Sequence, residues 1–230
     1  MADPNHVPVL TIDGPSGSGK GTIARNVAIE LGWHLLDSGA LYRLAALAAS
    51  RAGKLEAEAG VLAEIAGSMD VRFESTDDGQ ERILLGGDDV TTEVRLEDTG
   101  AMASGIAGLA PVREALIELQ RGFRKVPGLV ADGRDMGTRI FPDAALKVYL
   151  TASADERAKR RYKQLKDKGI DVSLRALSRD IEDRDRRDSE RSVAPLKPAD
   201  DARILDSSNL DIGEVTRQVI DWVSEADLAS

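Results

Sequence analysis

Apolar and polar positions change period several times along the chain, and the changes divide it into elements. Val7-Pro8-Val9-Leu10-Thr11-Ile12-Asp13 is an apolar run that reads as a buried strand, and the Gly/Ser-rich stretch from Gly14 to Thr22 follows it directly. From about Lys20 to Leu31 the residues Ile23, Val27, Ala28 and Leu31 fall at helical spacing, with Gly32 as the stop. Trp33-His34-Leu35-Leu36 is a second short strand, ending at Asp37-Ser38-Gly39. Strand, loop, helix, strand at this spacing is a parallel α/β unit, whose ligands bind at the carboxyl ends of the strands. Two helices are expected next, over Leu41 to Ala52 and Glu56 to Met69.

The texture then changes. Val71 to Ser75, the Asp77-Asp78-Gly79 turn, Arg82 to Leu85, Gly86-Gly87 and Asp88 to Val90 are short extended runs separated by turn residues, as in a small antiparallel meander. A parallel core does not normally contain one, so residues from about 39 to 103 read as a lobe inserted into it. Helices near Val94 to Leu109 and Val112 to Lys125 resume the core, followed by two buried-strand candidates, Leu129 to Asp132 and Ala145 to Leu150. Ala154 to Arg191 carries nine arginines and ten acidic residues on two helices broken at Gly169. A last strand over Ala202 to Asp206 and a helix over Ile212 to Ala226 close the chain. No segment repeats at a period of 20 to 50 residues, which excludes a solenoid.

The stretch Gly14-Pro15-Ser16-Gly17-Ser18-Gly19-Lys20-Gly21-Thr22 has the composition of a phosphate-binding loop. Its four glycines let successive N–H groups turn round a phosphate without Cβ interference, and the following helix adds the positive end of its dipole. Lys20 supplies a mobile point charge for the β- and γ-phosphates. One position departs from G-x-x-x-x-G-K-[ST]: Gly21 follows the lysine, and the hydroxyl arrives at Thr22. That displacement argues against direct magnesium coordination by the hydroxyl and assigns Thr22 to a phosphate oxygen. The alternative is a Gly/Ser turn with no ligand, which lysine, spacing and strand-loop-helix context all oppose.

Three further constellations carry candidate chemistry. Asp132-Gly133-Arg134-Asp135-Met136-Gly137-Thr138 ends a strand, where Asp132 can hold magnesium through water and Arg134 can fork an oxyanion; a strand-to-loop turn with a surface Arg-Asp pair is the alternative. In Asp37 to Arg43, Asp37 is a second magnesium-side carboxylate, Ser38 an N-cap that doubles as a ligand, and Arg43 within reach of an incoming phosphate, against the reading of a capped helix with a solvated arginine. In the arginine-rich stretch, Arg157 and Arg161 share a helix face, and Arg184, Asp188 and Arg191 form a polar face, although most such runs are salt-bridge-laced surfaces.

Composition narrows the reading. The 230 residues suffice for one α/β domain with a buried core and a mobile lobe, and with only eight aromatic residues that core must be aliphatic. A formal charge of −9 argues against broad nucleic-acid binding, so a phosphorylated substrate must be held by local arginines against the global field. The absence of cysteine excludes disulfides and Cys-ligated zinc and fits a reducing compartment. The only histidines, His6 and His34, assemble no triad or zinc site. Met1 to His6 is neither basic nor apolar, and no run approaches 18 apolar residues, so the expectation is a soluble cytoplasmic protein without a membrane partner.

Taken in order, G-P-S-G-S-G-K-G-T, L-L-D-S-G-A-L-Y-R, V-R-E-A-L, A-D-G-R-D-M-G-T, V-A-P-L and I-L-D-S-S make the chain resemble the bacterial cytidylate kinases over almost its whole length. The resemblance implies a P-loop fold with a five-stranded parallel core, a mobile lid and an enlarged monophosphate-binding lobe containing a small antiparallel sheet. It implies a core of residues 1–38, 104–153 and 192–230, a CMP-binding lobe of 39–103, and a lid with its adjoining helix over 154–191. ATP phosphates would sit on Gly14, Pro15, Ser16, Gly17, Ser18, Gly19, Lys20, Gly21 and Thr22, with Arg157 and Arg161 on the donor side. Ser104, Arg113, Asp135 and Arg191 would surround cytosine, Arg184 and Asp188 would face the sugar, and Ser38, Arg43 and Arg134 would hold the acceptor phosphate. Lys20, Arg134 and Asp132 would carry catalysis, with Mg2+ at Asp132 and Asp37. The implied reaction is transfer of a phosphoryl group from ATP to CMP or dCMP by a monomer. Rival readings are another small-molecule kinase on the same loop, or a nucleotide switch. The chain lacks the N-K-x-D and D-x-x-G strings of a switch.

Overall fold

The computed structural model describes residues 7–75, 81–167 and 169–228; the expected turn at Asp77-Asp78-Gly79 and the segment Met1 to His6 lie outside them. The chain begins with β1 (Val9–Asp13), α1 (Lys20–Leu31), β2 (His34–Asp37), α2 (Ser38–Arg51) and α3 (Ala59–Gly67). Then come β3 (Val71–Ser75), β4 (Glu81–Leu85), β5 (Asp88–Asp89), α4 (Thr91–Val94), α5 (Glu97–Ile106) and α6 (Ala110–Arg121). The remainder is β6 (Leu129–Gly133), a π-helical turn over Met136–Ile140, β7 (Leu146–Thr151), α7 (Ala154–Asp167), α8 (Leu174–Ser189), β8 (Arg203–Asp206) and α9 (Ile212–Glu225).

The contacts divide the chain into two compact units, Met1–Asp37 with Arg121–Ser230, and Ser38–Gln120. The first holds a five-stranded sheet in the order β2-β6-β1-β7-β8, with every pairing parallel. Strands β1 and β6 are buried at all five positions, which is why both read as unbroken apolar runs rather than alternating ones. Their residues Leu10, Ile12 and Val130 share one core with Val148 and Leu150 of β7, Ile23 and Val27 of α1, and Val215, Val219 and Val223 of α9. This core is aliphatic, as the shortage of aromatics requires. Helix α1 ends at Gly32, whose left-handed backbone (φ 64°) allows its N–H to close the last turn and the chain to enter β2.

In the second unit the three-stranded sheet β3-β4-β5 is antiparallel, the meander that the turn-rich texture predicts. Tyr42, Ala45, Leu62, Ala103, Ile106, Val112 and Leu116 form the core of this unit. Residues 104–120 group with this unit because α5 and α6 contribute Ile106, Val112 and Leu116 to that cluster. The single helix predicted near Val94 to Leu109 is interrupted: Leu96 is extended (ψ 152°), and α5 starts afresh with Glu97 and Asp98 in its first turn, where acidic side chains favour the helix dipole. No helix among the described residues is long and apolar enough to cross a membrane.

Candidate active site

Parallel register brings the carboxyl ends of β2, β6 and β1 side by side, pairing Asp37 with Asp132 and Asp13 with Gly133. The loop of residues 14–19 leaves β1 at this edge and runs into α1. A Cβ on Gly14 would stand 2.0 Å from the carbonyl oxygen of Leu150, so the loop can pass the end of β7 only with glycine at its start. Gly19, with φ 91°, caps α1, and its carbonyl accepts from the N–H groups of Thr22 and Ile23 at 3.1 Å each.

Lys20 opens α1. Its Nζ donates to the Pro15 carbonyl at 3.2 Å and lies 4.0 Å from Asp132 Oδ1, with both side chains about nine-tenths buried. Burial lowers the lysine pKa, Arg134 and Arg184 lower it further, and Asp132 and Asp37 oppose them. Asp132 moves the other way, pushed up to about 7 chiefly by burial; Lys20 and Arg134 pull it down while Asp37 and Asp13 add to the rise. Asp132 Oδ1 is buried without a hydrogen-bond partner. The geometry also accounts for the departure at Gly21, where an added Cβ would approach Asp132 Oδ2 to 3.1 Å. Serine or threonine directly after the lysine would crowd that carboxylate.

Among the described residues no three His, Cys, Asp or Glu side chains cluster as a metal cage. A buried carboxylate oxygen with no hydrogen bond, next to a second strand-end aspartate, does fit a small hard cation that takes most of its ligands from phosphates and water.

Beyond Asp132, the loop turns over Arg134 and Asp135. Arg134 donates through Nε to Asp188 of α8, and the other Asp188 oxygen lies 2.5 Å from Arg191 Nη2. Burial alone would raise the Asp188 carboxyl, but Arg134, Arg191 and Arg184 hold it below its ordinary 3.8. Removing this anion leaves two largely buried guanidinium groups without it, so Asp188→Asn is expected to destabilise the protein by about 3 kcal/mol at neutral pH. A depressed folded pKa contributes stability above the ordinary value and loses it as the carboxylate protonates. The stability gap between wild type and variant, read from urea unfolding, should therefore narrow below pH 3.8 and stay level between pH 5 and 7; a gap that widens on acidification would contradict the ion-pair account.

Helix α7 braces the outside of the phosphate loop. Arg157 is 4% exposed, and its guanidinium donates to the carbonyls of Ala152 (3.0 Å) and Ser16 (2.9 Å) and to both carboxylate oxygens of Asp185. Arg160 donates to the Ser18 carbonyl at 3.3 Å and to the Ser207 carbonyl at 2.5 Å. Arg161 bonds to Gln164 of its own helix at 3.1 Å. Asp185 and Arg160 are missing from the residues singled out by motif, as is Asp13, whose side chain accepts from the amides of Met136 and Gly137, while Ser207 lies within the I-L-D-S-S string with no role assigned to it. A signal existed for Asp13, since it too ends an apolar strand in front of a glycine. For Arg160, spacing from Arg157 offered nothing that Arg161 did not offer equally.

In the second unit Ser38 is the buried first residue of α2. Arg43 donates to the carbonyls of Val94 (3.0 Å) and Leu96 (2.8 Å), passing Gly100 so closely that a Cβ there would meet Nη2 at 2.6 Å. Arg113 is 3% exposed, donates to the Ala107 carbonyl at 2.9 Å and stands 5.3 Å over the Tyr42 ring. The Ser104 hydroxyl is buried and has no hydrogen-bond partner.

A parallel sheet with a glycine loop between its central strand and α1, a lysine at the helix start and an aspartate next to last on the adjacent strand define a P-loop nucleotide-binding protein. The family model for cytidylate kinase matches residues 10–225. A cytidylate kinase of Nitrosococcus oceani is 57% identical over 219 residues, covering 95% of this chain and 96% of its own. Those of Cupriavidus necator (56% over 216 residues, 94% and 95%) and Stutzerimonas stutzeri (55% over 224 residues, 97% and 98%) are similar to the same extent. The chain belongs to the cytidylate kinase family.

Proposed function

We propose that this protein transfers the γ-phosphoryl group of ATP to CMP, and to dCMP, giving ADP and the corresponding diphosphate. The observation that carries the reading is Lys20 at the start of α1, 4.0 Å from the buried Asp132, in a chain of the cytidylate kinase family. The ATP phosphates are assigned to the backbone amides of residues 14–22 and to Lys20, whose depressed pKa reflects a charge kept out of water and available to a phosphate. Arg157 is proposed to serve ATP by holding the loop through Ser16, and Arg161 from the donor side.

Mg2+ would be held at Asp132 and Asp37 through water, and when bound it supplies positive charge to the phosphate oxygens. The acceptor phosphate, with a second pKa of about 6, is largely ionised at neutral pH, so no strong general base is required. The protein's own part is to align the two phosphates, to counter developing charge with Lys20, Arg134 and Arg43, and to exclude water. Ser38, Arg43 and Arg134 are assigned to the acceptor phosphate. Ser104, Arg113, Asp135 and Arg191 are assigned to the cytosine, and Arg184 with Asp188 to the sugar. The formal charge of −9 supports small nucleotides rather than nucleic acid as partners, and work as a monomer in the cytoplasm completes the proposal.

A coupled ADP-release assay across CMP, dCMP, UMP, AMP and GMP tests the reading. CMP and dCMP are expected to give the highest kcat/KM, with the purine nucleotides at least about tenfold below, the level at which buried polar mismatches act. Preference for AMP or GMP, or turnover with none of the five, would overturn it.

A further inference from the structure

Asp13 is the last residue of β1, directly before the phosphate loop, and its side chain is buried. Both carboxylate oxygens are used: Oδ1 accepts from the Met136 amide at 2.9 Å and Oδ2 from the Gly137 amide at 2.8 Å. Those amides open the π-helical turn that follows Arg134 and Asp135. Burial opposes ionisation here and pushes the carboxyl up to about 7, against the pull of the two amides, so this position carries a group that packing alone would not favour.

The turn it holds is tightly fitted. A Cβ on Gly137 would meet Thr11 Oγ1 at 2.8 Å and the Lys147 stem at 3.1 Å, and one on Gly133 would meet Met136 Cγ at 2.7 Å. Lys147 is itself fixed, donating to the Pro142 carbonyl at 2.7 Å and to Asp201 at 2.9 Å. The carboxylate thus joins the root of the phosphate loop to a turn pinned from its other side. Arg134 leads into that turn and Lys20 follows that loop.

We propose that Asp13 is a positioning residue for phosphoryl transfer: by bonding the amides of Met136 and Gly137 it sets the Arg134–Asp135 loop at a fixed distance from the phosphate loop and Lys20. The inference rests on the kinase reading above. Asp13 touches no reacting atom in this scheme; it acts through Arg134. Transfer between two bound phosphates needs both sets of holding groups in register, and a misplacement of about 1 Å can cost a hundredfold in rate. In hydrolysis of ATP the acceptor is water, which carries no phosphate for the Arg134–Asp135 loop to hold.

Asp13→Asn keeps the shape but presents one amide with an NH2 group where it had an acceptor. Transfer to CMP should fall roughly 10- to 100-fold in kcat, with the KM for ATP within about threefold of wild type and the hydrolysis of ATP measured without CMP little changed. The ratio of hydrolysis to transfer should therefore rise at least about tenfold. A purely structural role would reduce both reactions together in proportion to folded protein, and that result, or a kcat within about threefold of wild type, overturns the proposal. If Asp13→Asn does not fold, incorporation of the α-hydroxy acid of methionine at position 136 removes one donor and leaves every side chain in place. The same change in ratio is expected of it, and an unchanged ratio is equally decisive against. Absence of CMP phosphorylation by the unaltered protein would instead remove the kinase reading itself.

Discussion

Lys20→Ala is expected to lower kcat by at least about two orders of magnitude while the protein stays folded. The ammonium sits between the Pro15 carbonyl at 3.2 Å and Asp132 at 4.0 Å, in surroundings that already depress its pKa through burial. Charge held in such a place is worth far more to a phosphoryl group in transfer than the same charge in water. Loss of the lysine also removes a group that pulls the Asp132 pKa down, and that carboxyl stands at about 7 even with Lys20 beside it. Asp132 can therefore take up a proton rather than remain as an unpaired buried anion, which is why the fold should survive. Lys20→Arg is not expected to restore the rate, because a planar guanidinium cannot occupy the site of a compact ammonium at the end of a flexible stem. Steady-state kinetics with circular dichroism and thermal melts on the same samples read the result. Near-normal turnover in a folded variant would remove the phosphate-loop assignment.

Local pattern made the first unit's sheet legible because its central strands are buried on both faces and the glycines stand where backbone must pass close to backbone. Val9 to Asp13, the loop and α1 to Leu31 could be read in one pass, and so could β6, β7 and the small meander. What local pattern does not carry is which distant segments share a core. The helices over Glu97–Ile106 and Ala110–Arg121 look like ordinary amphipathic helices, yet Ile106, Val112 and Leu116 pack with Tyr42 and Leu62, a choice made by contacts far apart in the chain. The arginine-rich helix shows the same limit in the site. Positions 157, 160 and 161 are near one another on any helical surface, and only the fold sends Arg157 to Ser16 and Asp185, Arg160 to Ser18 and Ser207, and Arg161 to Gln164. Asp13 escaped motif reading for a different reason. Its place at the end of an apolar strand in front of a glycine is legible, but its partners are backbone amides, whose identity leaves no mark in the sequence.

Arg113→Met and Ser104→Ala are expected to weaken CMP far more than ATP and to narrow the preference for CMP over UMP. Cytosine offers acceptors at O2 and N3 and a donor at its N4 amino group, whereas uracil reverses the pattern at the last two positions. A protein can therefore choose between them with an arginine facing the acceptors and an oxygen facing the amino group. Arg113 suits the first of these roles because it is buried, steadied over the Tyr42 ring, and tied through one nitrogen to the Ala107 carbonyl, so its orientation is set in advance. The Ser104 hydroxyl, buried with no hydrogen-bond partner, is a polar atom that a ligand could satisfy. A neutral group left unpaired by the wrong base costs about 1 to 3 kcal/mol and a charged one such as the Arg113 guanidinium more, so each substitution should shrink the ratio of kcat/KM for CMP over UMP by at least roughly 5-fold. Methionine keeps most of the arginine stem, which limits the loss to the guanidinium's hydrogen bonds and charge. Steady-state constants for ATP, CMP and UMP in both variants test the argument. A parallel rise in the KM for ATP and CMP, with the CMP to UMP ratio unchanged, would show that neither residue reads the base.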